Sequence, residues 1–149
     1  MILRRRPAKS EDFEFCFRAI EEGLRDYVIQ TFAHWDDASE RRKLCQSQQQ
    51  NQYELVEVDS EAVGCCCIIE KPDCLYLELI ALYRRHQGRG IGTLFMEQVL
   101  TEARSVFLPV VLRCIKSNPA KSLYDRLGFA VIEEQDVRWI MRHDGGSKS

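Results

Sequence analysis

Three glycines spaced two residues apart, Gly88, Gly90 and Gly92, mark the stretch of this 149-residue chain that is best suited to chemistry. Glycine lets the backbone approach a ligand closely and adopt φ values that other residues resist. Fixed positive charge surrounds the same stretch, from Arg84, Arg85 and Arg89. A helix that follows would aim its unpaired N–H groups and the positive end of its dipole at the same point. The pattern therefore predicts an anion site, and a pyrophosphate suits it better than a carboxylate.

Two common phosphate-binding loops do not fit this spacing. A P-loop needs Gly-x-x-x-x-Gly-Lys-Ser/Thr, and no lysine lies near Gly92. The dinucleotide-binding fingerprint needs Gly-x-Gly-x-x-Gly, whereas this chain has Gly-x-Gly-x-Gly. A nucleotide-binding protein of either class is therefore not indicated.

The elements around this turn are predicted from apolar spacing. Residues 75–82 are β-rich and indicate a strand that leads into the turn. After the turn, one apolar face predicts a helix over residues 90–107, formed by Ile91, Leu94, Phe95, Val99, Ala103 and Val106. Two earlier helices are predicted, one N-capped by Ser10 and one by Asp37. Further strands are predicted at residues 2–6, 53–59, 62–70, 110–115, 129–134 and 137–142, with a hairpin turn at Ser60 and Glu61.

A second motif, Asn118-Pro119-Ala120-x-x-Leu123-Tyr124-x-x-Leu127-Gly128-Phe129, predicts a short capped helix that feeds a strand. Asn118 suits the N-cap, Pro119 the first helical position and Gly128 the C-cap. This motif and the run Gln87-x-x-Gly90-x-Gly92 together resemble the GNAT acyltransferases. The resemblance extends from about residue 3 to residue 142 and is weakest over residues 32–52.

The resemblance implies a single-domain α+β fold. Its sheet is expected to be mixed, mostly antiparallel and six- to seven-stranded, flanked by about four helices, with a splay between the fourth and fifth strands. We expect this domain to span residues 1–144 and to be followed by a flexible C-terminal tail at residues 145–149.

The resemblance also implies acetyl-CoA as co-substrate and no metal. Its pyrophosphate would lie on the main chain of Gln87, Gly88, Arg89, Gly90, Ile91, Gly92 and Thr93, with Arg85 adding charge. The pantetheine arm would pair with the open strand edge through the backbone N–H groups of Ile80 and Leu82. Asn118 would hydrogen-bond the pantetheine region or brace the splayed strand.

The reaction implied is acetyl transfer from the thioester to an amine, made directly in a ternary complex. The backbone N–H of Leu82 is expected to stabilise the oxyanion, and Tyr124 to protonate the leaving thiolate. The proton acceptor for the amine stays open between Glu78, His34 and water; Glu78 could also only orient a cationic substrate or lie on the far face of its strand. A ping-pong path through Cys114 is less favoured, because no adjacent base is evident.

Three aromatic or imidazole side chains, Phe32, His34 and Trp35, lie between the two predicted N-terminal helices. Such residues either pack down as a lid over the core or, as the resemblance implies, line the acceptor site. The acceptor is expected to be a small-molecule amine or a peptide. A non-catalytic acyl-CoA-binding or sensor domain is the alternative function.

Composition narrows the partners and the compartment. A formal net charge of −2 argues against nucleic acid or an anionic membrane as the main partner. Seven cysteines, an odd number without C-x-x-C spacing, indicate neither a zinc site nor a full disulfide framework. Buried thiols in a reducing compartment are the simpler interpretation, so we expect a cytoplasmic protein. Dimers are common in the resembled family, and a homodimer is therefore also expected.

Overall fold

The structure is a computed structural model that describes residues 1–145 of the chain. Within this range seven strands and four helices form: β1 Leu3–Pro7, α1 Phe13–Phe32, α2 Asp37–Gln50, β2 Tyr53–Val58, β3 Glu61–Glu70, β4 Leu75–Leu82, α3 Ile91–Ser105, β5 Val110–Ile115, α4 Ala120–Arg126, β6 Ala130–Glu134 and β7 Arg138–His143. The predicted C-terminal tail lies outside the described residues, except for Gly145. The backbone N–H of Gly145 donates to Nδ1 of His143 at 2.8 Å.

The strands form one mixed sheet in the order β1-β2-β3-β4-β5-β7-β6. The pairs β1–β2, β2–β3, β5–β7 and β6–β7 are antiparallel, whereas β4 and β5 are parallel. The parallel ladder runs from Leu75 opposite Val110 to Leu77 opposite Leu112, at the beginning of β4. This mixed, mostly antiparallel sheet confirms the predicted fold class, and the short parallel ladder fits the predicted splay.

The chain divides into two compact units, residues 1–68 with 79–91, and residues 69–78 with the chain from residue 92 onward. The first unit buries apolar side chains of α1, β2 and β3, among them Phe17, Leu55, Val56 and Val63. The second unit buries apolar side chains of α3, β5 and β7, among them Phe95, Met96, Val99, Leu112 and Met141. The boundaries of a single domain over residues 1–144 stay a prediction.

The turn between β2 and β3 forms where the sequence predicts a hairpin. Its two central residues are Asp59 and Ser60, with φ values of 50° and 71°. Positive φ at both central positions matches the twist of the flanking strands. The predicted pair, Ser60 and Glu61, was one residue too late, since Glu61 already belongs to β3.

Both predicted N-caps of the first two helices were wrong by a short distance. Residues 10–12 form a 3₁₀ turn, so α1 begins at Phe13 and Ser10 does not cap it. The carboxylate of Asp12 accepts the backbone N–H of Lys9 at 2.9 Å. At α2 the cap is Asp36, which has an extended backbone and accepts the N–H of Ser39 at 3.1 Å. Asp37 is already helical and pairs with Arg41.

Helix α3 is shorter than predicted at both ends. It begins at Ile91 because Gly90 has a φ of 82°, and it ends at Ser105 before Phe107, whose φ is 57°. Val106 is 45% exposed, so its predicted place on the buried face was wrong. Met96 and Leu100 belong to that face instead.

Candidate functional site

The glycine-rich turn leaves β4 through a short 3₁₀ turn, Arg84–His86. The side-chain amide of Gln87 donates through Nε2 to the carbonyl oxygen of Leu82 at 3.0 Å, which ties the turn back to the strand. Gly88 and Gly90 follow with φ values of 73° and 82°, in the region that side chains rarely adopt. A Cβ added to either glycine would meet nothing within 4 Å. Backbone shape therefore requires these glycines, and open space lies beside them.

The arginines of the turn differ in their partners. The backbone N–H of Arg84 donates to Glu22 at 3.0 Å, and its guanidinium lies 3.4 Å from Asp26, so α1 holds this residue. The guanidinium of Arg85 lies 5.2 Å from the centre of the Tyr83 ring. In this contact the guanidinium of Arg85 lies over an aromatic ring and not beside a carboxylate.

A buried histidine, His86, contacts an arginine of the turn. Sequence reasoning missed this residue. His86 is only 4% exposed, although histidines in basic turns are ordinarily solvated. Its Nδ1 lies 3.2 Å from Nη1 of Arg89, and its Nε2 lies 3.6 Å from a carboxylate oxygen of Glu61. The arginine is a permanent donor, so Nδ1 accepts and Nε2 carries the proton. His86 thus orients Arg89 within the turn.

The end of β4 is held tightly in the first unit. The backbone N–H of Tyr83 donates to the carbonyl of Val63 at 3.0 Å, and its hydroxyl donates to the carbonyl of Phe15 at 2.8 Å. Helix α1 approaches Leu82 at Gly23, where an added Cβ would lie 3.2 Å from the Leu82 oxygen and 3.4 Å from its nitrogen. The main chain at Leu82, which the resemblance assigns to the pantetheine arm, is therefore packed against α1.

The second motif forms α4 in the other unit. The side-chain oxygen of Asn118 accepts the backbone N–H of Ala120 at 2.9 Å, but Pro119 occupies the N-cap, so the predicted cap at Asn118 was one residue too early. Pro119 stands just before the helix, which begins at Ala120, so its predicted helical position was one residue too early. Gly128 has a φ of 97° and ends the helix as predicted.

Tyr124 lies on the buried side of α4. The side chain is 7% exposed, and its ring centre lies 5.7 Å from that of Phe129. Burial, with a smaller contribution from Cys114, raises the pKa of the Tyr124 phenol well above its ordinary value. The phenol is therefore fully protonated at neutral pH, which is the state that a proton donor needs.

Cys114 is a buried neighbour of Tyr124. Its Sγ lies 3.6 Å from the carbonyl oxygen of Ile115 and 3.9 Å from that of Asn118. Burial raises the pKa of this thiol to about 11. A thiol that keeps its proton is a poor nucleophile, so the structure gives no support to a ping-pong path through Cys114.

Glu78 lies on the other face of the sheet from Cys114. Leu77 pairs with Leu112, and both are buried, as is Cys114 two residues further along β5. Because side chains alternate along a strand, Glu78 points away from this buried face, and it is exposed. Within the second unit, the predicted acid Tyr124 and the predicted base Glu78 are therefore associated with opposite faces of the β4–β5 pair.

The aromatic segment between α1 and α2 is divided between two environments. The ring of Trp35 is half-buried, with its centre 6.3 Å from that of Phe17, so this residue packs as a lid on the core. Phe32 and His34 are exposed, and Nδ1 of His34 lies 3.0 Å from the carbonyl oxygen of Phe32. Contact of these three residues with an acceptor stays a prediction.

A known protein family matches most of this chain. The sequence profile described as the acetyltransferase (GNAT) family matches residues 13–129. The chain belongs to the GNAT acetyltransferase family. The match spans both the glycine-rich turn and α4, and it confirms the family that the two motifs indicated.

Solved structures agree with this GNAT assignment. The PaiA N-acetyltransferase of Thermoplasma acidophilum, solved in complex with coenzyme A, has a TM-score of 0.70 and 19% identity over 97% of this chain and 99% of its own. The ribosomal-protein-S18-alanine N-acetyltransferase of Escherichia coli has a TM-score of 0.73 and 16% identity over 99% and 96%. An acetyltransferase of Thermus thermophilus has a TM-score of 0.73 and 17% identity over 96% and 97%. At these identities the likeness establishes the GNAT fold. A search of curated proteins found no match.

The predicted GNAT site residues are distributed over both units. The first unit contains Ile80, Leu82, Arg85, Gln87, Gly88, Arg89, Gly90 and Ile91, together with Phe32, His34 and Trp35. The second unit contains Glu78, Gly92, Thr93, Asn118 and Tyr124. Across residues 1–145 there is no cluster of three or more His, Cys, Asp or Glu side chains able to hold a metal ion. In the same range no helix is both long enough and apolar enough to cross a membrane.

Proposed function

We propose that this GNAT chain moves an acetyl group from acetyl-CoA to an amine of a small molecule or peptide, by direct attack in a ternary complex. The observation that carries the proposal is the turn at residues 87–90. There Gly88 and Gly90 have positive φ, a Cβ added to either would meet nothing within 4 Å, and α3 begins at the next residue, so the main chain is accessible to a ligand. Amides at such a terminus suit a diphosphate. The similar PaiA N-acetyltransferase, solved with coenzyme A, supports the same ligand here.

The residues present fit this co-substrate. The main chain from Gln87 to Thr93 would hold the diphosphate, and Arg85 and Arg89 would add charge to it. The backbone N–H groups of Ile80 and Leu82 would pair with the pantetheine arm, a form of strand addition. When bound, acetyl-CoA supplies an activated acyl group with a thiol as its leaving group.

Groups of the protein would then transfer protons and stabilise the negative charge that forms during the reaction. An ammonium acceptor must lose a proton before it attacks, because only the neutral amine has a lone pair, and Glu78, His34 and water stay the candidate acceptors of that proton. The backbone N–H of Leu82 donates to the acyl oxygen as that oxygen gains negative charge. The C–N bond forms first and gives the tetrahedral intermediate. As the C–S bond then breaks, the hydroxyl of Tyr124 donates its proton to the sulfur, and the surplus proton of the nitrogen restores the phenol directly or through water.

The burial that raises the pKa of Tyr124 also favours the protonated form of a thiol that leaves beside it. A free thiol has a pKa of about 8.5, far below that of a buried phenol. Burial raises the pKa of the neighbouring Cys114 thiol to about 11. A thiolate that leaves beside Tyr124 is destabilised in the same way, so its demand for the phenolic proton increases.

Thiol release from acetyl-CoA tests the proposal. The purified chain is incubated with acetyl-CoA and a panel of amines, and coenzyme A affinity is measured on the same sample by calorimetry. We expect release that depends on the amine, with intersecting initial-rate patterns for the two substrates. Coenzyme A binding without release on any amine would replace the enzyme with a non-catalytic sensor, and parallel patterns would replace direct transfer with a ping-pong path.

We also propose a cytoplasmic location. Cys16, Cys45, Cys65, Cys74 and Cys114 carry free thiols, which supports a reducing compartment. The absence of nucleic-acid and membrane partners, and a homodimer, stay predictions.

A further inference from the structure

A cationic cluster in the second unit, formed by Lys71, Arg113 and the ring of Tyr76, has no part in the mechanism proposed above. Nε of Arg113 donates to the Tyr76 hydroxyl at 2.6 Å. Nζ of Lys71 lies 4.5 Å above the centre of the same ring. Burial raises the pKa of Tyr76, while the charge of Arg113 opposes that rise, so the hydroxyl stays neutral.

Within residues 1–145, no carboxylate forms a salt bridge with Lys71 or with Arg113, although the chain as a whole carries a net charge of −2. The nearby Arg142 differs, since it pairs with Asp144 at 2.6 Å. Because Tyr76 accepts only from Nε, the two Nη atoms of Arg113 are left for an external acceptor.

The strand register places Glu78 on the same face as this cluster. Tyr76 pairs with Val111, and Arg113 follows Val111 by two residues, so their side chains share one face. Glu78 follows Tyr76 by two residues and shares that face as well. Two residues of a strand span about 7 Å. Glu78 therefore lies about one strand repeat from Tyr76, and Glu78 and Arg113 are the residues that follow the last pair of the ladder, Leu77 and Leu112.

We propose that the amine acceptor carries a carboxylate, which Arg113 and Lys71 bind beside Tyr76 while its amine lies at Glu78. This inference rests on the proposed acetyl transfer and names its substrate class: acidic amino acids, or peptides with an acidic residue next to the amino end. A guanidinium presents paired N–H donors whose spacing matches a carboxylate. In such an acceptor the amine and the side-chain carboxylate are several bonds apart, so each can contact its own partner.

Matched acceptors test this directly. Two tripeptide amides that differ only by Glu or Gln at the second position are compared by kcat/KM in acetyl transfer. The wild-type chain is expected to prefer the Glu peptide by roughly tenfold, as a charge-assisted hydrogen bond allows. Arg113→Gln is expected to remove the preference by raising KM for the Glu peptide alone, with kcat and the Gln peptide unchanged. Arg113→Lys should restore part of it.

Controls separate this subsite from the proposed function. Arg126→Gln removes an exposed arginine of α4 and should leave the preference intact. If Arg113→Gln does not fold, Lys71→Gln replaces it and should weaken the preference. Equal kcat/KM for the two peptides, or a preference that survives both variants, overturns the carboxylate subsite while acetyl transfer stands. No transfer to any amine overturns both proposals.

Discussion

The glycine-rich turn and α4 both contain a family motif, but the turn offers exposed main chain whereas α4 offers a buried side chain. The turn is exposed, and its essential feature is the main chain, since Gly88 and Gly90 take positive φ with no side chain near them. Helix α4 presents a single side chain, Tyr124, whose chemistry is altered by burial. Under the proposed function, coenzyme A affinity should therefore depend on backbone conformation, and turnover on one buried hydroxyl.

The sharpest way to test this contrast is to remove the hydroxyl alone. Tyr124→Phe should lower kcat by roughly 100-fold, a typical contribution of a positioned proton donor, with no change in coenzyme A affinity. The measurement is thiol release at saturating acetyl-CoA together with calorimetry. Tyr27→Phe on α1 is the matched control and should keep wild-type turnover. A Tyr124→Phe protein with full turnover would remove the acid role.

The converse change affects the backbone of the turn. Gly90→Val meets no steric obstacle, but it forces a β-branched residue into positive φ at a cost of about 1–3 kcal/mol. We expect the turn to rearrange and the Kd for coenzyme A to rise about tenfold or more, while kcat at saturation is retained. Gly90→Ala is the graded comparison, because alanine has no β-branch and should raise the Kd by less. Unchanged affinity in Gly90→Val would contradict the backbone design.

Close packing behind the turn can be tested through stability. A Cβ at Gly64 would overlap the carbonyl oxygen of Ala81, so β3 or β4 must shift. Gly64→Ala should therefore lower the free energy of unfolding by about 1–3 kcal/mol, measured by urea denaturation. Gly23→Ala, whose Cβ would lie 3.2 Å from the Leu82 oxygen, should cost less. Equal stability of the wild type and Gly64→Ala would show that the end of β4 is not held as described.

The pH profile gives a smaller but informative effect. Because the pKa of Tyr124 is raised, its proton is retained to higher pH than that of a free phenol, which ionises near pH ~10. The kcat should therefore show no decline from Tyr124 between about pH 8 and about pH 10. A decline in that window that disappears in Tyr124→Phe would mean that the phenol is not shielded from water.

Local patterns explain why so much of the fold was predictable. Apolar spacing, together with the capping signals of α2 and α4, located the seven strands and four helices of residues 1–145, and Gly88 and Gly90 have the backbone that their spacing indicated. Neighbouring acids were not distinguishable in the same way: Asp36 and Asp37 both suit a cap, and only the extended backbone of Asp36 selects it. The end of α3 depends on Phe107 adopting positive φ, which no local signal requires.

The chemistry of the site was less predictable, because burial is a tertiary property. Nothing in the sequence around His86 indicates that this imidazole is buried under Arg89. Strand alternation predicts that Glu78 and Leu77 point to opposite faces of the sheet. Only the structure shows that Tyr124 packs on the face of Cys114. The pairing of Arg113 with Tyr76 depends on the register of β4 and β5, which residue types do not specify.

Calorimetry of two related ligands tests the central claim most directly, namely that the main chain of residues 87–93 grips a diphosphate. Coenzyme A and pantetheine share the thiol arm, but only coenzyme A has the diphosphate. The account predicts that coenzyme A binds the wild-type chain roughly 100-fold more tightly than pantetheine, and that Gly90→Val loses most of this difference. Equal affinity for the two ligands, or no binding of coenzyme A, would contradict it.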